Sequence, residues 1–202
     1  MSTFVQILLR SLESGSVYAL AALGIIVIYR TSNITNFAQG AVGMFNTYVV
    51  TFLVIQAGFP LWLAILGGVG TAILMGFTID YLVIRHTKKV SPVAKQIITL
   101  GLIMVILGLA PMFFGVDPLN LPRLIPEGSV NILGANLSYN GLFNIVFGFS
   151  LMFILFYILQ NTKVGLAVRT TASNEYTARL MGVPTKTVTL GAWALAAVLG
   201  LL

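Results

Sequence analysis

The chain has no cysteine, a single histidine and only five acidic residues among 202. The first absence excludes disulfides and thiolate metal sites. The acids Glu13, Asp80, Asp117, Glu127 and Glu175 never pair on a common stretch, and neither an HExxH nor a P-loop spacing occurs. The one histidine, His86, stands among Arg85, Lys88 and Lys89, where a solvated ring is expected. No catalytic residue and no metal site is therefore expected. Charge of either sign is also scarce, at 8% of residues, against 58% hydrophobic ones. A soluble domain carries about 25% charged residues, so the composition is that of an integral membrane protein.

What is present is a series of long apolar runs: residues 14–29, 41–57, 61–84, 96–115, 141–160 and 188–202. A spanning helix needs roughly 20 apolar residues. The pattern predicts an all-α polytopic bundle with five full spans and a partial sixth, forming a single membrane domain over 1–202. The sixth run has 15 residues, which cover about 22 Å at 1.5 Å per residue of a core some 30 Å thick. A helix propped by its neighbours or a C-terminally truncated chain would explain this, and truncation is expected.

The net charge of +6 means less than its distribution. Arg85, Lys88, Lys89 and Lys95 occupy one connection, and Lys163, Arg169, Arg179 and Lys186 another. The connection 116–140 holds Arg123 beside Asp117 and Glu127. The positive-inside rule places the two basic connections in the cytoplasm and 116–140 outside. Counting back, the segment after the first span is cytoplasmic and the N-terminus is outside. The first run is long and lacks a clear small-residue cleavage site, so it reads as a retained span. The basic excess orients the chain and does not call for nucleic acid.

Residues 30–40, Arg-Thr-Ser-Asn-Ile-Thr-Asn-Phe-Ala-Gln-Gly, form a polar break between two apolar runs. A bilayer leaves loose backbone groups without water, so such a break is packed in protein or lines a cavity. Asn33, Asn36 and Gln39 offer donors and acceptors without net charge, beside Phe37 and Gly40. A polar cytoplasmic turn and a pathway for a neutral or zwitterionic solute both fit. Broken helices are the usual pointer to a transporter's path.

Small residues recur at helical spacing: Gly15, Ala19 and Ala22; Gly68, Ala72 and Gly76; Ala192, Ala196 and Gly200. In lipid they allow close helix packing, so they argue for a compact bundle. Asp80 falls near the cytoplasmic end of its span, one turn beyond Gly76, and reads as a structural group pointing into the bundle; ion coupling is the alternative. Asn144 shares a face with Gly141 and Gly148, which suits interhelical bonding or a place on the path.

The outer connection 116–140 contains Pro118, Pro122 and Pro126, which bar a regular helix. Residues 130–133 and 136–139 then read as two strands around a 134–135 turn. Asn136-Leu-Ser138 matches a glycosylation acceptor, a frequent chance match. In the inner connection 161–187, Ser173 or Asn174 can cap a short helix over 175–181 with Glu175 in its first turn. Gly182 stops it and Pro184 prevents continuation. Such a helix either lies on the bilayer surface or docks a partner.

Two blocks carry a family resemblance. In SGSVYALAALGIIVIYRTSNITNFAQGAVGMFNTYV (14–49), Gly15, Ser16, Tyr18, Ala19, Leu20, Ala22, Leu23, Gly24, Asn36, Phe37, Ala38, Gln39 and Gly40 fit. In TKVGLAVRTTASNEYTARLMGVPTKTVTLGAWALAAVLG (162–200), Gly165, Ala167, Arg169, Ala172, Ala178, Arg179, Leu180, Met181 and Gly182 fit. With the order of spans between them, the chain resembles throughout the permease subunits of high-affinity branched-chain amino acid ABC importers.

The resemblance implies a bacterial cytoplasmic-membrane permease for branched-chain or other small amino acids. Its implied partners are a second homologous permease, two cytoplasmic ATP-binding subunits, an extracytoplasmic solute-binding protein and membrane lipid. ATP and Mg would reside on the ATP-binding subunits, and this chain would bind no cofactor. The loop 161–187 would dock the ATPase through Arg169, Glu175, Arg179 and Gly182. The path would be lined by Asn33, Asn36, Phe37, Gln39, Gly40 and Asn144. Where the family has a Glu-Ala-Ala triplet before the glycine, this chain has Tyr176, Thr177 and Ala178, with Glu175 one position early. Family members also continue for further spans. The competing expectation is a self-sufficient channel or ion-coupled carrier for a small neutral solute such as urea or an amide.

Overall fold

The computed structural model describes residues 2–87, 90–117, 119, 121, 125, 128–132 and 135–201. Lys88, Lys89, Pro118, Pro122, Arg123, Pro126, Glu127, Leu133 and Gly134 lie outside the described residues, and with them the Pro-rich stretch and the hairpin turn. The elements in chain order are α1 (Ser2–Ser32), α2 (Gln39–Ile55), α3 (Leu61–Thr78), a π turn (Ile79–Val83), a 3-10 turn (Ile84–Thr87), α4 (Pro92–Phe114), β1 (Ser129–Ile132), β2 (Ala135–Ser138), α5 (Tyr139–Asn161), α6 (Lys163–Ser173), α7 (Glu175–Leu180) and α8 (Thr185–Leu201). The chain is an all-α polytopic bundle with one small hairpin.

Among the described residues, four helices are long and apolar enough to cross a membrane: Thr3–Ser32, Leu61–Thr87, Val93–Phe114 and Tyr139–Asn161. All six expected runs are helical, the second and the last as shorter apolar helices. The second run, like the last, forms a shorter helix: α2 and α8 have 17 residues each, about 25 Å of rise. The apolar count overran α2 because Gln56 and Ala57 follow its last helical residue.

Helix ends follow local chemistry. The hydroxyls of Ser91, Ser138 and Thr162 accept from backbone N–H groups at the starts of α4, α5 and α6, satisfying donors that a helix N-terminus leaves free. The hairpin pairs Ser129 with Ser138 and Ile132 with Ala135, so each strand lies one residue earlier than predicted. Its free edge is covered by α1, where Gln6 donates from Nε2 to the Asn136 carbonyl and accepts from the Asn136 N–H, both at 2.8 Å. A paired edge cannot recruit another strand.

The short helix α8 is the centre of the bundle. Ala192, Trp193, Ala194, Ala196, Ala197 and Leu199 are all buried in it. A Cβ at Gly76 would come within 2.6 Å of the Trp193 carbonyl, so α3 and α8 touch backbone to backbone. A Cβ at Gly43 would overlap the Gly200 carbonyl, which joins α2 to α8 in the same way. The predicted stripes on α3 and α8 are thus packing faces: Gly68, Ala72 and Gly76 are buried, as are Ala192 and Ala196. The stripe on α1 is not. Gly15 and Ala22 are exposed, and a Cβ at Gly15 would meet nothing. α1 packs instead through Ser16, Leu20, Gly24, Val27 and Ile28, one helical face further round.

Candidate functional site

α1 ends because Asn33 takes the left-handed conformation, with φ 51°, which a short polar side chain tolerates best after glycine. Two residues earlier, the buried Thr31 hydroxyl bonds back to the carbonyls of Val27 and Ile28 at 3.0 Å each. The break proper is shorter than the polar run: residues 33–38 lie outside helices, while Gln39 and Gly40 open α2.

Two unwound backbone N–H groups find side-chain oxygens inside the protein. The Phe37 N–H donates to Thr99 Oγ1 of α4 at 3.2 Å, and the Ala38 N–H to Asn36 Oδ1 at 3.1 Å. Gln96 Nε2 donates to Thr35 Oγ1 at 3.4 Å. Thr99 is fully buried. These two α4 residues were missed by sequence reasoning, although two polar side chains three apart at the start of an apolar helix were a usable signal.

The amides divide into two kinds. Asn36 donates to Gln39 Oε1 at 3.4 Å, and Gln39 Nε2 donates to the Ala196 carbonyl of α8 at 2.6 Å. Both are buried. Gln39 lies in a slot between Gly24 of α1 and Gly200 of α8, where any Cβ on either glycine would strike its amide. Its amide therefore bonds α2 to α8 and occupies the space between three helices. Asn33, Phe37 and Gly40 are exposed. Asn144 is half-buried on α5 and is not brought to the break. Its neighbours Gly141 and Gly148 pack on Glu13 and Ser16 of α1, some 17 residues before Asn33, or about 25 Å along a helix.

Below the break lies a polar cavity of about 220 Å³, bounded by Asn33, Asp80, Arg85, Lys95, Thr171 and Glu175 among others. It brings the end of α1, the turns after α3, the start of α4 and the α6–α7 loop to one end of the bundle. Asp80 is buried and accepts from Arg85 Nε at 2.9 Å. An i→i+5 turn sets residues five apart on one face, and the π turn Ile79–Val83 does this for the pair. Arg85 also donates to the Lys186 carbonyl at 3.2 Å and lies over the Tyr81 ring, 5.5 Å from its centroid. Asp80 points into the bundle, as the sequence indicated.

The α6–α7 loop carries its own caps. Asn174 Oδ1 accepts from the Thr177 N–H at 3.0 Å, so Asn174 and not Ser173 starts α7. At the other end Gly182, with φ 83°, allows the Gly182 N–H to reach the Arg179 carbonyl and the Val183 N–H the Ala178 carbonyl at 2.9 Å, a Schellman closure. Of the residues named for coupling, Glu175 and Arg179 are ion-paired across one turn of α7. Arg179 Nε further donates to Thr185 Oγ1, 2.8 Å away and buried at the start of α8. Arg169 lies apart from them, donating to the Gln160 carbonyl at 3.1 Å. Tyr176, Leu180 and Met181 of this loop are each more than 70% exposed, among the exposed polar side chains of Asn174, Glu175 and Thr177.

The family model described as "Branched-chain amino acid transport system / permease component" matches residues 7–202. A probable branched-chain amino acid transport permease protein LivH of Methanocaldococcus jannaschii is 27% identical over 201 residues, covering 93% of this chain and 62% of the relative. The high-affinity branched-chain amino acid transport system permease protein BraD of Pseudomonas aeruginosa is 26% identical, covering 89% of this chain and 62% of the relative. The corresponding permease LivH of Escherichia coli K12 is 27% identical, covering 98% and 70%. The chain thus spans about 62% of the length of the first two relatives. No solved structure gives a significant match. With the family match running from the first third of α1 to the end of α8, this multi-pass membrane chain belongs to the branched-chain amino acid transport permease family.

Proposed function

We propose that the chain is the permease subunit of an ABC importer for branched-chain or other small amino acids in a bacterial cytoplasmic membrane. It works with a second homologous permease, two cytoplasmic ATP-binding subunits that hold ATP and Mg, and an extracytoplasmic solute-binding protein. The observation that carries this reading, beside family membership, is the construction of α7. It is capped at both ends, joined to the central helix α8 through Arg179 and Thr185, and turned outward with Tyr176, Leu180 and Met181. A surface of that kind receives force from a soluble partner and passes it to the bundle core. Glu175 and Arg179 act as the fastening to α8, Gly182 sets the loop's angle, Arg169 holds α6 to the end of α5, and the apolar side chains make the contact.

In this reading the solute path runs beside the break. Asn33, Phe37 and Gly40 face it, Asn36 and Gln39 hold its wall in place from behind, and Asn144 belongs to its outer part. A small amino acid is a zwitterion, which neutral amides and backbone groups suit better than fixed charges do. The engagement of Asp80 with Arg85 supports a structural role for that acid over ion coupling.

The test is Arg179→Ala and Gly182→Val in the assembled transporter. Loss of binding-protein-dependent uptake and of ATPase stimulation is expected, with helicity and expression retained. Uptake and stimulation at the level of the unaltered protein would show that α7 is not the coupling element.

A further inference from the structure

Two cytoplasmic connections grip the first turn of α8, each with an arginine. From the α6–α7 side, Arg179 Nε donates to Thr185 Oγ1 at 2.8 Å. From the α3–α4 side, Arg85 Nη2 donates to the carbonyl of the next residue, Lys186, at 3.2 Å. Arg85 is held on its own side as well. Its Nε donates to the buried Asp80 at 2.9 Å, and its guanidinium lies over the Tyr81 ring. Asp80 and Tyr81 both belong to the π turn that continues α3. A guanidinium is a planar fork with donors in fixed directions, so a single side chain holds the π turn with one nitrogen and α8 with another.

The same connection leads into α4. Lys95 in the first turn of α4 borders one cavity together with Asp80, Arg85 and Thr189 of α8. The next two polar residues of α4, Gln96 and Thr99, bond Thr35 and the Phe37 N–H of the break. Hydrogen-bonded side chains and rigid helices are what carry energetic coupling between distant sites. Here they run from α7 through Arg179 to α8, from α8 through Arg85 to the α3–α4 connection, and from α4 to the break.

Taking α7 as the contact for an ATP-binding subunit, as proposed above, we propose that Arg85 is a positioning residue for that coupling. It clamps the first turn of α8 to the α3–α4 connection, so that a displacement of α7 reaches α4 and the polar break.

The test compares Asp80→Asn with Asp80→Asn/Arg85→Gln in the assembled transporter. A glutamine Nε2 stands where the arginine Nε does, so the contact between residues 80 and 85 is kept, without a stranded charge. The Cζ and Nη2 that reach α8 are gone. The single variant is expected to keep its solute-stimulated ATPase activity. The double variant is expected to lose about fivefold of the stimulation, the ratio one hydrogen bond is worth, at unchanged basal activity, subunit retention and thermal midpoint relative to the single variant. Equal stimulation in the two variants would overturn the proposal, as would a loss that follows a fall in midpoint, which is the mark of a purely structural residue. Arg179→Ala separates the two readings: if it uncouples and the double variant does not, only the role of Arg85 fails, and if neither uncouples, the coupling role of α7 fails with it. A second measurement leaves Arg85 in place. The chain has no cysteine, so spin labels can be set on His86→Cys and Lys186→Cys, both exposed positions. Their separation is expected to stay the same in nucleotide-free and ATP-bound complexes. A change beyond about 3 Å, the length of the bond itself, would overturn the clamp.

Discussion

The two polar interruptions of this chain, residues 33–38 and the α6–α7 loop, solve the same problem in opposite ways. Both leave helix ends whose backbone groups need partners. The break borrows from across the bundle: Thr99 of α4 accepts from the Phe37 N–H, Gln96 of α4 holds the Thr35 hydroxyl, and the Ala196 carbonyl of α8 holds the Gln39 amide. The loop makes its own, with Asn174 at one end and the Gly182 turn at the other. Borrowed partners tie the break to the rest of the fold, so it cannot move alone. Local partners leave α7 a unit joined to α8 through Arg179 and Glu175 on Thr185. Substitutions in and behind the break are therefore expected to change stability first, and those in the loop to change coupling with little loss of stability.

The largest effect on that comparison is expected from Gly43→Val, behind the break. Its Cβ would enter the Gly200 carbonyl, and neither backbone can yield cheaply. A loss of about 3 kcal/mol or more is expected, read as a collapse of the thermal unfolding midpoint in detergent. A midpoint within a few degrees of the unaltered chain would mean that α2 and α8 can separate freely.

Asp80→Asn comes next. It keeps an oxygen for Arg85 but removes the charge, at a cost of about 2 kcal/mol, less than for deleting a buried ion-pair partner outright. Amino acid uptake by the assembled transporter is expected to persist at permissive temperature. Abolished uptake with normal folding and ATPase activity would favour the ion-coupled carrier instead.

Gln39→Leu is the smallest of the three. It gives up the interhelical hydrogen bond to Ala196, worth about 1 kcal/mol in a membrane, and the long bond from Asn36, while keeping most of the volume in the Gly24–Gly200 slot. A small drop in midpoint is expected, with uptake reduced less than by any change at Arg179. Complete loss of uptake without loss of stability would instead put the Gln39 amide on the solute path.

The sequence was informative wherever the physics is local. The caps at Asn174 and Gly182, the hairpin and the basic end all follow from neighbours a few residues apart. The polar break was equally visible, because an apolar pattern stops there. Its inner division was not. Gln39 is buried because of a carbonyl 157 residues away, and nothing near Gln39 distinguishes it from the exposed Asn33. The α1 stripe failed for a related reason: small residues permit close packing but do not attract a partner, and the neighbours of α1 chose the face with Gly24. The Asp80–Arg85 pair needed a π turn, which the helical period does not announce. α8 looked least like a span by length and became the core, since its alanines and Gly200 let three helices approach.

In the proposed transporter α7 meets an ATP-binding subunit through Tyr176, Leu180 and Met181, while Arg179 fastens it to α8. The most direct measurement is co-purification of the cognate ATP-binding subunit with the membrane complex carrying Leu180→Asp and Met181→Asp, alongside Arg179→Ala. The double aspartate variant is expected to lose the subunit, whereas Arg179→Ala retains it but no longer shows solute-stimulated ATPase activity. Retention of the subunit by the double aspartate variant, with stimulation intact, would contradict that arrangement.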